Sequence, residues 1–361
     1  MTIDIVLYFA IGRGGLEDVI TKVTNGLINK GHRVRVFQCA IPTHPEWVYT
    51  VPEMYFYAID YGVGALNDLG YRYAIRYGEM LKNLGTPDVI IATHLPLLSF
   101  MCKVALQRCN NKKIPIISWI HGPVNVYGRR ELLSYSDAHM AISTTIAKDL
   151  ATYINPSTIY HIGNPVTTSS VLPITRSTDQ LRMLYIGRIA PEKNLPILFT
   201  ALNELVGNWE LNIIGDGIGI DNLKSLAINY NIADNIHWLG WQDNPWNAVS
   251  SASATIVASD YEGFSMTTAE SLARGIPVIS TKCGGPEDMI IDDYNGWLYP
   301  VRDSLALKNI LQNILDGTYT LPSTETCITS IQKFSDENVI NKIDTVLTKT
   351  YNEYYESLES K

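Results

Sequence analysis

The chain has 361 residues, 46% hydrophobic and 18% charged, with a formal charge of −8; that length suits two domains of about 150 to 180 residues rather than one core. Five scattered cysteines (Cys39, Cys102, Cys109, Cys283, Cys327) without a Cys-x-x-Cys pair argue against structural zinc and for reduced, mostly buried thiols in a cytoplasmic compartment. Asp4 interrupts the first apolar run and no basic region precedes it, and the run 89–102 contains His94 and Pro96, so neither reads as a signal peptide or a membrane span.

The charge is unevenly divided: up to Pro165 there are 15 Lys and Arg against 12 Asp and Glu, and after it 13 against 24. A mildly basic first half suits an anionic acceptor or peripheral contact with an anionic membrane, at the inner face of the cell membrane; unequal solvated faces are the plain alternative. No nucleic-acid partner is expected.

Strand and helix patterns alternate along nearly the whole chain, which predicts α/β domains with parallel sheets covered on both faces. A strand over 3–9 leads into Gly12-Arg13-Gly14-Gly15 and a helix over 16–30, stopped by Gly31 before a strand at 34–37. Gly14 and Gly15 would let backbone amides approach an anion at the helix start, although a tight turn without a ligand reads equally well. Residues 41–64 are rich in aromatics (Trp47, Tyr49, Tyr55, Phe56, Tyr57, Tyr61). Such rings can stack on sugars, enter a membrane interface or pack over a sheet.

A helix over 65–84 and strands at 88–92 and 114–120 follow. The second strand ends in Trp119-Ile120-His121-Gly122-Pro123, which puts His121 where a side chain reaches into the crevice beyond a strand end. A structural histidine is the simpler alternative. After a strand at 138–142 and a helix over 144–153, the Ser-, Thr- and Pro-rich stretch 167–180 reads as a linker.

The second half restarts with a strand at 181–186, the loop Gly187 to Asn194, and a helix from 195 with Asn194 as its N-cap. Arg188 and Lys193 thus flank a helix start at a strand mouth, one forked and one point cation suited to a diphosphate. A strand at 210–214 runs into Gly215-Asp216-Gly217, and a short strand at 237–241 ends in Trp241-Gln242. The run 254–280 reads as a strand, a loop with Glu262-Gly263-Phe264-Ser265, a helix carrying Glu270, a stop at Gly275 and another strand. Glu262 and Glu270, one at a strand mouth and one in the next helix, can point into a single crevice, or can be two solvated glutamates. A helical pattern over 334–357 closes the chain.

Several of these stretches together resemble the retaining glycosyltransferases of family 4: Glu262, seven residues and Glu270; Gly187-Arg188, four residues and Lys193; His121-Gly122; Gly284 to Asp288; and Tyr294 to Leu298. The match is dense over 181–298 and loose before Pro123. It implies the GT-B fold, two Rossmann-like doubly wound domains facing across a cleft. Residues 1–165 would form the acceptor side and 166–344 the nucleotide-sugar side, with a last helix over 345–361 crossing back to the first domain.

The resemblance also implies roles. Glu262 and His121 would position sugar hydroxyls, Arg188 and Lys193 would neutralise the departing diphosphate, and Glu270 would hold ribose. Gly14, Gly15, Gly187, Gly215, Trp241, Gln242, Gly263, Phe264 and Ser265 would complete the donor site. With no Asp-x-Asp triplet and no His or Cys cluster at metal-ligand spacing, neither a divalent metal nor a cofactor is expected beyond the donor substrate.

Gly240-Trp-Gln242, Asn244-Pro-Trp246 and Ser259 to Phe264 look like lipopolysaccharide 1,6-galactosyltransferases, which favours a UDP-hexose donor, galactose or glucose, and a hydroxyl of a cell-surface glycan or lipid-linked acceptor. A nucleotide-sugar epimerase acting without an acceptor, and a non-catalytic nucleotide-sugar-binding subunit, are the alternatives.

Overall fold

The computed structural model describes residues 1–59, 66–109 and 113–359. The chain divides into two compact units, Met1–Pro165 with Asp336–Lys361, and Val166–Ser335.

The first unit is built on strands β1 (Thr2–Val6), β2 (Arg33–Gln38), β3 (Met54–Phe56), β4 (Val89–Thr93), β5 (Ile116–Ile120), β6 (Ala138–Ala141) and β7 (Ile159–His161). They pair in parallel in the order β3-β2-β1-β4-β5-β6-β7, so the direction of winding reverses between β1 and β4. The central strands β4 (VIIAT) and β5 (IISWI) are mostly apolar and buried along their length, as sheets covered on both faces require. Helices α1 (Gly15–Asn29), α2 (Leu66–Leu84), α3 (Pro96–Gln107), α4 (Val124–Tyr127) and α5 (Thr144–Leu150) complete this part of the unit.

The polar residue that interrupts β1 has a structural task. Asp4 is fully buried and accepts from Arg35 at 2.6 and 2.9 Å and from Tyr77 Oη at 2.7 Å. Arg35 also donates to the carbonyls of Leu84 and Gly85, at 3.0 and 2.9 Å, and so fastens the end of α2 to the sheet. Burial pushes the Asp4 carboxyl up to about 6, against the pull of Arg35.

The aromatic stretch divides between packing and exposure. Trp47 and Tyr57 are buried, Trp47 donating to Thr21 Oγ1 at 3.0 Å and Tyr57 to the Leu7 carbonyl at 2.6 Å, whereas Tyr49 is 90% exposed. A strand, β3, lies where no regular element is predicted, and Tyr61 lies outside the described residues.

The second unit carries β8 (Thr175–Arg176), β9 (Leu181–Ile186), β10 (Trp209–Ile214), β11 (Ile236–Gly240), β12 (Ser251–Ala252), β13 (Ala254–Val257), β14 (Val278–Thr281) and β15 (Gly296–Tyr299). Six of them form a parallel sheet in the order β11-β10-β9-β13-β14-β15, with the reversal between β9 and β13. Its helices are α6 (Leu195–Asn203), α7 (Ile220–Asn229), α8 (Met266–Ala273), α9 (Ser304–Leu315) and α10 (Thr324–Ser330).

Residues 167–180 do not form a free linker. They contribute β8, which pairs with β12, and Arg176 donates to the carbonyls of Ser253 and Pro322 at 2.8 Å each. A short stretch with one arginine can pack firmly when its guanidinium satisfies two buried carbonyls. The last helix, α11 (Asp336–Glu359), follows the helical pattern expected over 334–357, and the whole of it, not only the part from 345, belongs to the first unit. Asp344 is reached by His32 at 2.9 Å and Lys30 at 3.2 Å, and Ile340 occupies the space left by the missing side chain of Gly26.

Candidate active site

The reversal of winding in the second unit opens a crevice beyond the carboxyl ends of β9 and β13, where open α/β sheets receive ligands. Arg188 and Lys193 line it from the β9 loop, Ser259 and Glu262 from the β13 loop, and Ser265 to Thr267 from the start of α8.

Close backbone packing shapes the β9 loop. Gly187 has φ +154°, and Tyr185 Oη donates to the Arg188 carbonyl at 2.6 Å. A Cβ on Gly215 would lie 1.9 Å from the Gly187 carbonyl oxygen, and one on Gly217 would lie 1.9 Å from that of Ile189. Gly215 is therefore needed by the chain itself, to let the β9 and β10 loops touch. Sequence reasoning gave it a donor contact because a glycine's neighbour, ligand or backbone, cannot be read locally.

Lys193 Nζ lies 2.7 Å from Glu262 Oε1, and Ser259 Oγ donates to the same oxygen at 2.7 Å. Arg188 is 72% exposed and pairs with Glu192 at 2.8 Å. The supports beneath are also polar. Asp260 N donates to the Glu192 carbonyl at 2.8 Å, while the Asp260 carboxylate takes a fork from Arg302 (3.0 and 2.6 Å) and a bond from Asn194 Nδ2 at 2.8 Å. Arg302 and Asn194 hold that carboxyl below its usual range. Asn194 is thus not the side-chain cap expected of it: its φ is +51°, it makes no capping bond, and its amide is spent on Asp260.

The Gly284 to Asp288 stretch braces Glu262. Glu262 N donates to the Cys283 carbonyl at 2.8 Å and Gly285 N to the Glu262 carbonyl at 3.1 Å, and a Cβ on Gly285 would lie 2.3 Å from Phe264 Cα. Phe264 is buried edge-on against Phe334, centroids 5.1 Å apart, so its ring is core and only its backbone can face a ligand. Ser265 has φ +72° at the start of α8, and Thr267 Oγ1 donates to the Ile186 carbonyl at 3.0 Å. This orients the first turn of α8 toward the crevice, and a helix start favours anions.

Glu270 does not line that crevice. Trp246 Nε1 donates to its Oε2 at 2.8 Å, and Arg274 lies over the Trp246 ring at 4.3 Å, so one turn along α8 a buried tryptophan directs the second glutamate. Trp246 was legible only as part of Asn244-Pro-Trp246. Trp241 is 42% exposed, its Nε1 3.4 Å from Asp243 Oδ1, and Gln242 turns back to the Leu239 carbonyl at 2.9 Å.

In the first unit a carboxylate of the chain itself lies beside the glycine turn 12–15. Buried Glu17, in the first turn of α1, accepts from Gly12 N at 3.0 Å, and its Oε2 would lie 3.2 Å from a Cβ on Gly14. Within this turn it is the Gly12 amide that the chain's own carboxylate takes, and a side chain at Gly14 would crowd that carboxylate. His121 sits beyond β5, its ring 4.5 Å from that of Trp119 and its Nε2 buried without a partner among the described residues. Burial, with His94 nearby, holds it well below the usual histidine range.

Among the described residues no group of three or more His, Cys, Asp and Glu converges as metal ligands, and no helix is long and apolar enough to cross a membrane. The five cysteines are buried and unpaired.

Residues 173–333 match the family described as glycosyl transferases group 1, and residues 13–170 that described as glycosyltransferase family 4. The lipopolysaccharide 1,6-galactosyltransferase of Escherichia coli K12 is 31% identical over 72% of this chain and 74% of its own length. That of Salmonella typhimurium is 30% identical over 80% and 82%. Among solved structures, the apo lipopolysaccharide outer core galactosyltransferase WaaB superposes with a TM-score of 0.85 at 25% identity, over 97% of this chain and 99% of that one. Anabaena Alr3699/HepE in complex with UDP superposes with 0.80 at 16% identity, over 97% and 100%, a likeness of fold alone.

Proposed function

The chain belongs to the group 1, family 4-type glycosyltransferases, and from that premise we propose that it moves a hexose, galactose before glucose, from a UDP-sugar to a hydroxyl of a lipopolysaccharide-type glycan, with retention and without a divalent metal. The observation that carries this reading is the convergence of Arg188, Lys193 and Glu262 with the first turn of α8 on one crevice. Cations and a helix start together suit a diphosphate, and Glu262 beside them suits the hydroxyls of the sugar attached to it.

In this reading Arg188 and Lys193 neutralise charge that grows on the leaving diphosphate, the type of interaction worth about 10²–10³ in rate per group. Lys193 also fixes Glu262, whose second oxygen is left to accept from a sugar hydroxyl. Glu270, aimed by Trp246, bonds the ribose hydroxyls. Retention follows if the acceptor attacks the face that the diphosphate leaves, and a phosphate oxygen then takes the acceptor proton. His121 is the first unit's candidate for binding a sugar hydroxyl. Peripheral contact with an anionic membrane at its cytoplasmic face would have to use local basic residues of 1–165, because α11 brings the first unit to 18 basic and 18 acidic residues.

The test is UDP release from UDP-galactose, UDP-glucose and UDP-N-acetylglucosamine, with and without lipopolysaccharide core oligosaccharide and with and without EDTA. Acceptor-stimulated release from UDP-galactose that survives EDTA is expected. Interconversion of UDP-sugars without acceptor would make the chain an epimerase, UDP-sugar binding without any turnover would make it a binding subunit, and loss with EDTA that a divalent ion restores would overturn metal independence.

A further inference from the structure

The first unit holds a second polar cluster. β4 ends at Thr93, and His94 follows it with φ +80°, a region that residues bearing side chains rarely enter. Leu95 N donates to the Thr93 carbonyl at 3.1 Å across it, which makes His94 the centre of a γ-turn of the rare, strained kind. His94 N also donates to the Trp119 carbonyl at 2.8 Å, which ties the turn to the end of β5. The imidazole is thereby held 4.7 Å from the Tyr127 ring and 6.1 Å from that of His121, centroid to centroid.

Around this pair, Thr93 Oγ1, His94 Nδ1, Trp119 Nε1 and His121 Nε2 are all buried without a hydrogen-bond partner among the described residues. Native proteins pair nearly all such atoms. Four of them at the ends of two adjacent central strands, next to a backbone held under strain, mark a place that a polar ligand completes. Burial pushes His94 down to about 4 and His121 lower than its usual range, so near neutrality each ring is uncharged and offers one donor and one acceptor. A hydroxyl, which both donates and accepts, matches such a ring, and an anion matches it less well.

We infer that His94 and His121 act as a pair that binds neighbouring hydroxyls of one pyranose ring, with the γ-turn at His94 setting the spacing. The inference rests on the glycosyl-transfer reading and deepens it. The hydroxyls could come from the donor hexose or from the acceptor glycan, and the experiment separates the two.

Glycine adopts φ +80° freely, so His94→Gly in the full chain removes the imidazole while relieving the turn, and its thermal midpoint is expected to stay level or rise. His94→Asn, which tolerates the same backbone, is the second variant. Both are assayed for acceptor-free UDP-galactose hydrolysis and for transfer to core oligosaccharide, with and without added imidazole. The expected result is a KM raised about tenfold for one sugar, the scale of a lost hydrogen bond, with kcat moved less and imidazole restoring part of the loss. A higher KM in hydrolysis assigns the pair to the donor hexose, and one confined to the oligosaccharide assigns it to the acceptor.

Unchanged KM for both sugars in folded variants overturns the inference and leaves the transfer reading intact. Should the wild-type chain neither transfer nor hydrolyse, the transfer reading fails instead, and imidazole ¹⁵N spectra titrated with methyl galactoside and core oligosaccharide decide about the pair. Shifts of both rings support it, and no shift in either overturns it.

Discussion

Lys193 and Glu262, 69 residues apart in sequence, meet at 2.7 Å, and the ammonium that would face a diphosphate is held in the resting chain by the carboxylate that would face its sugar. The pair is one-fifth and one-seventh exposed, with side-chain values of 21% and 14%, so its attraction is screened less than that of a surface pair. Lys193→Ala removes both the leaving-group charge and the partner that fixes Glu262, and turnover is expected to fall by about 10²–10³. Arg188→Ala is expected to cut turnover on a similar scale with little change in thermal midpoint, because Arg188 is mostly solvated. Steady-state kinetics with UDP-galactose checks both, and near-wild-type turnover in the two variants would contradict the assignment.

Trp246 aims Glu270 through a single indole N–H, 2.8 Å from the carboxylate. Trp246→Phe keeps the ring in its pocket and deletes the donor, so the KM for the UDP-sugar should rise several-fold with kcat nearly unchanged, the pattern of lost ground-state binding. A kcat that falls alone would place Trp246 elsewhere in the mechanism. Trp241→Ala is the comparison, since that ring is 42% exposed.

The contact between the β9 and β10 loops leaves no room for a methyl group. Gly215→Ala would press a Cβ to 1.9 Å from the Gly187 carbonyl, at a φ of +140° that disfavours any side chain, and Gly217→Ala would press one to 1.9 Å from that of Ile189. Each should cost about 1–3 kcal/mol or more in urea denaturation and lower activity by displacing Arg188. Unaltered stability in both would mean that the loops part easily.

Stability should depend on pH through buried histidines. His94 and His139 are held down to about 4 by burial, against 6.5 for an unperturbed histidine, and His121 is shifted in the same direction. A depressed folded value means that the unfolded chain takes up protons first. Stability is therefore full above pH 6.5 and lost as pH falls from there toward about 4, by about 1.4 kcal/mol per pH unit for each histidine. Asp4 acts in the opposite sense between about 6 and 3.8, since its folded form binds a proton more readily, and offsets about one histidine. Urea midpoints between pH 7 and 4.5 check this, and the slope should be shallower in His139→Gln, which removes the buried ring bonded to Ser118.

Much of the fold was legible because its signals are local. The largely apolar run at 181–186 coincides with β9, and Gly31 and Gly275 end helices at φ +89° and +76° as helix-stopping glycines do. β3 and β8 were missed: three and two residues are too few to show a period, and both exist only because a neighbouring strand offers hydrogen bonds.

By itself the sequence determined the alternation of strands and helices and placed Arg188, Lys193, His121 and Glu262 at strand mouths, since hydrophobic period and turn chemistry are written over a few adjacent residues. Only the tertiary structure decided which of them meet. It brought Lys193 to Glu262, turned Glu270 to Trp246, gave the Gly12 amide to Glu17, spent Gly215 on Gly187 and set His94 beside His121. Those outcomes depend on which strands lie adjacent and how closely their loops pack, a property of the folded sheet that no short stretch of chain carries.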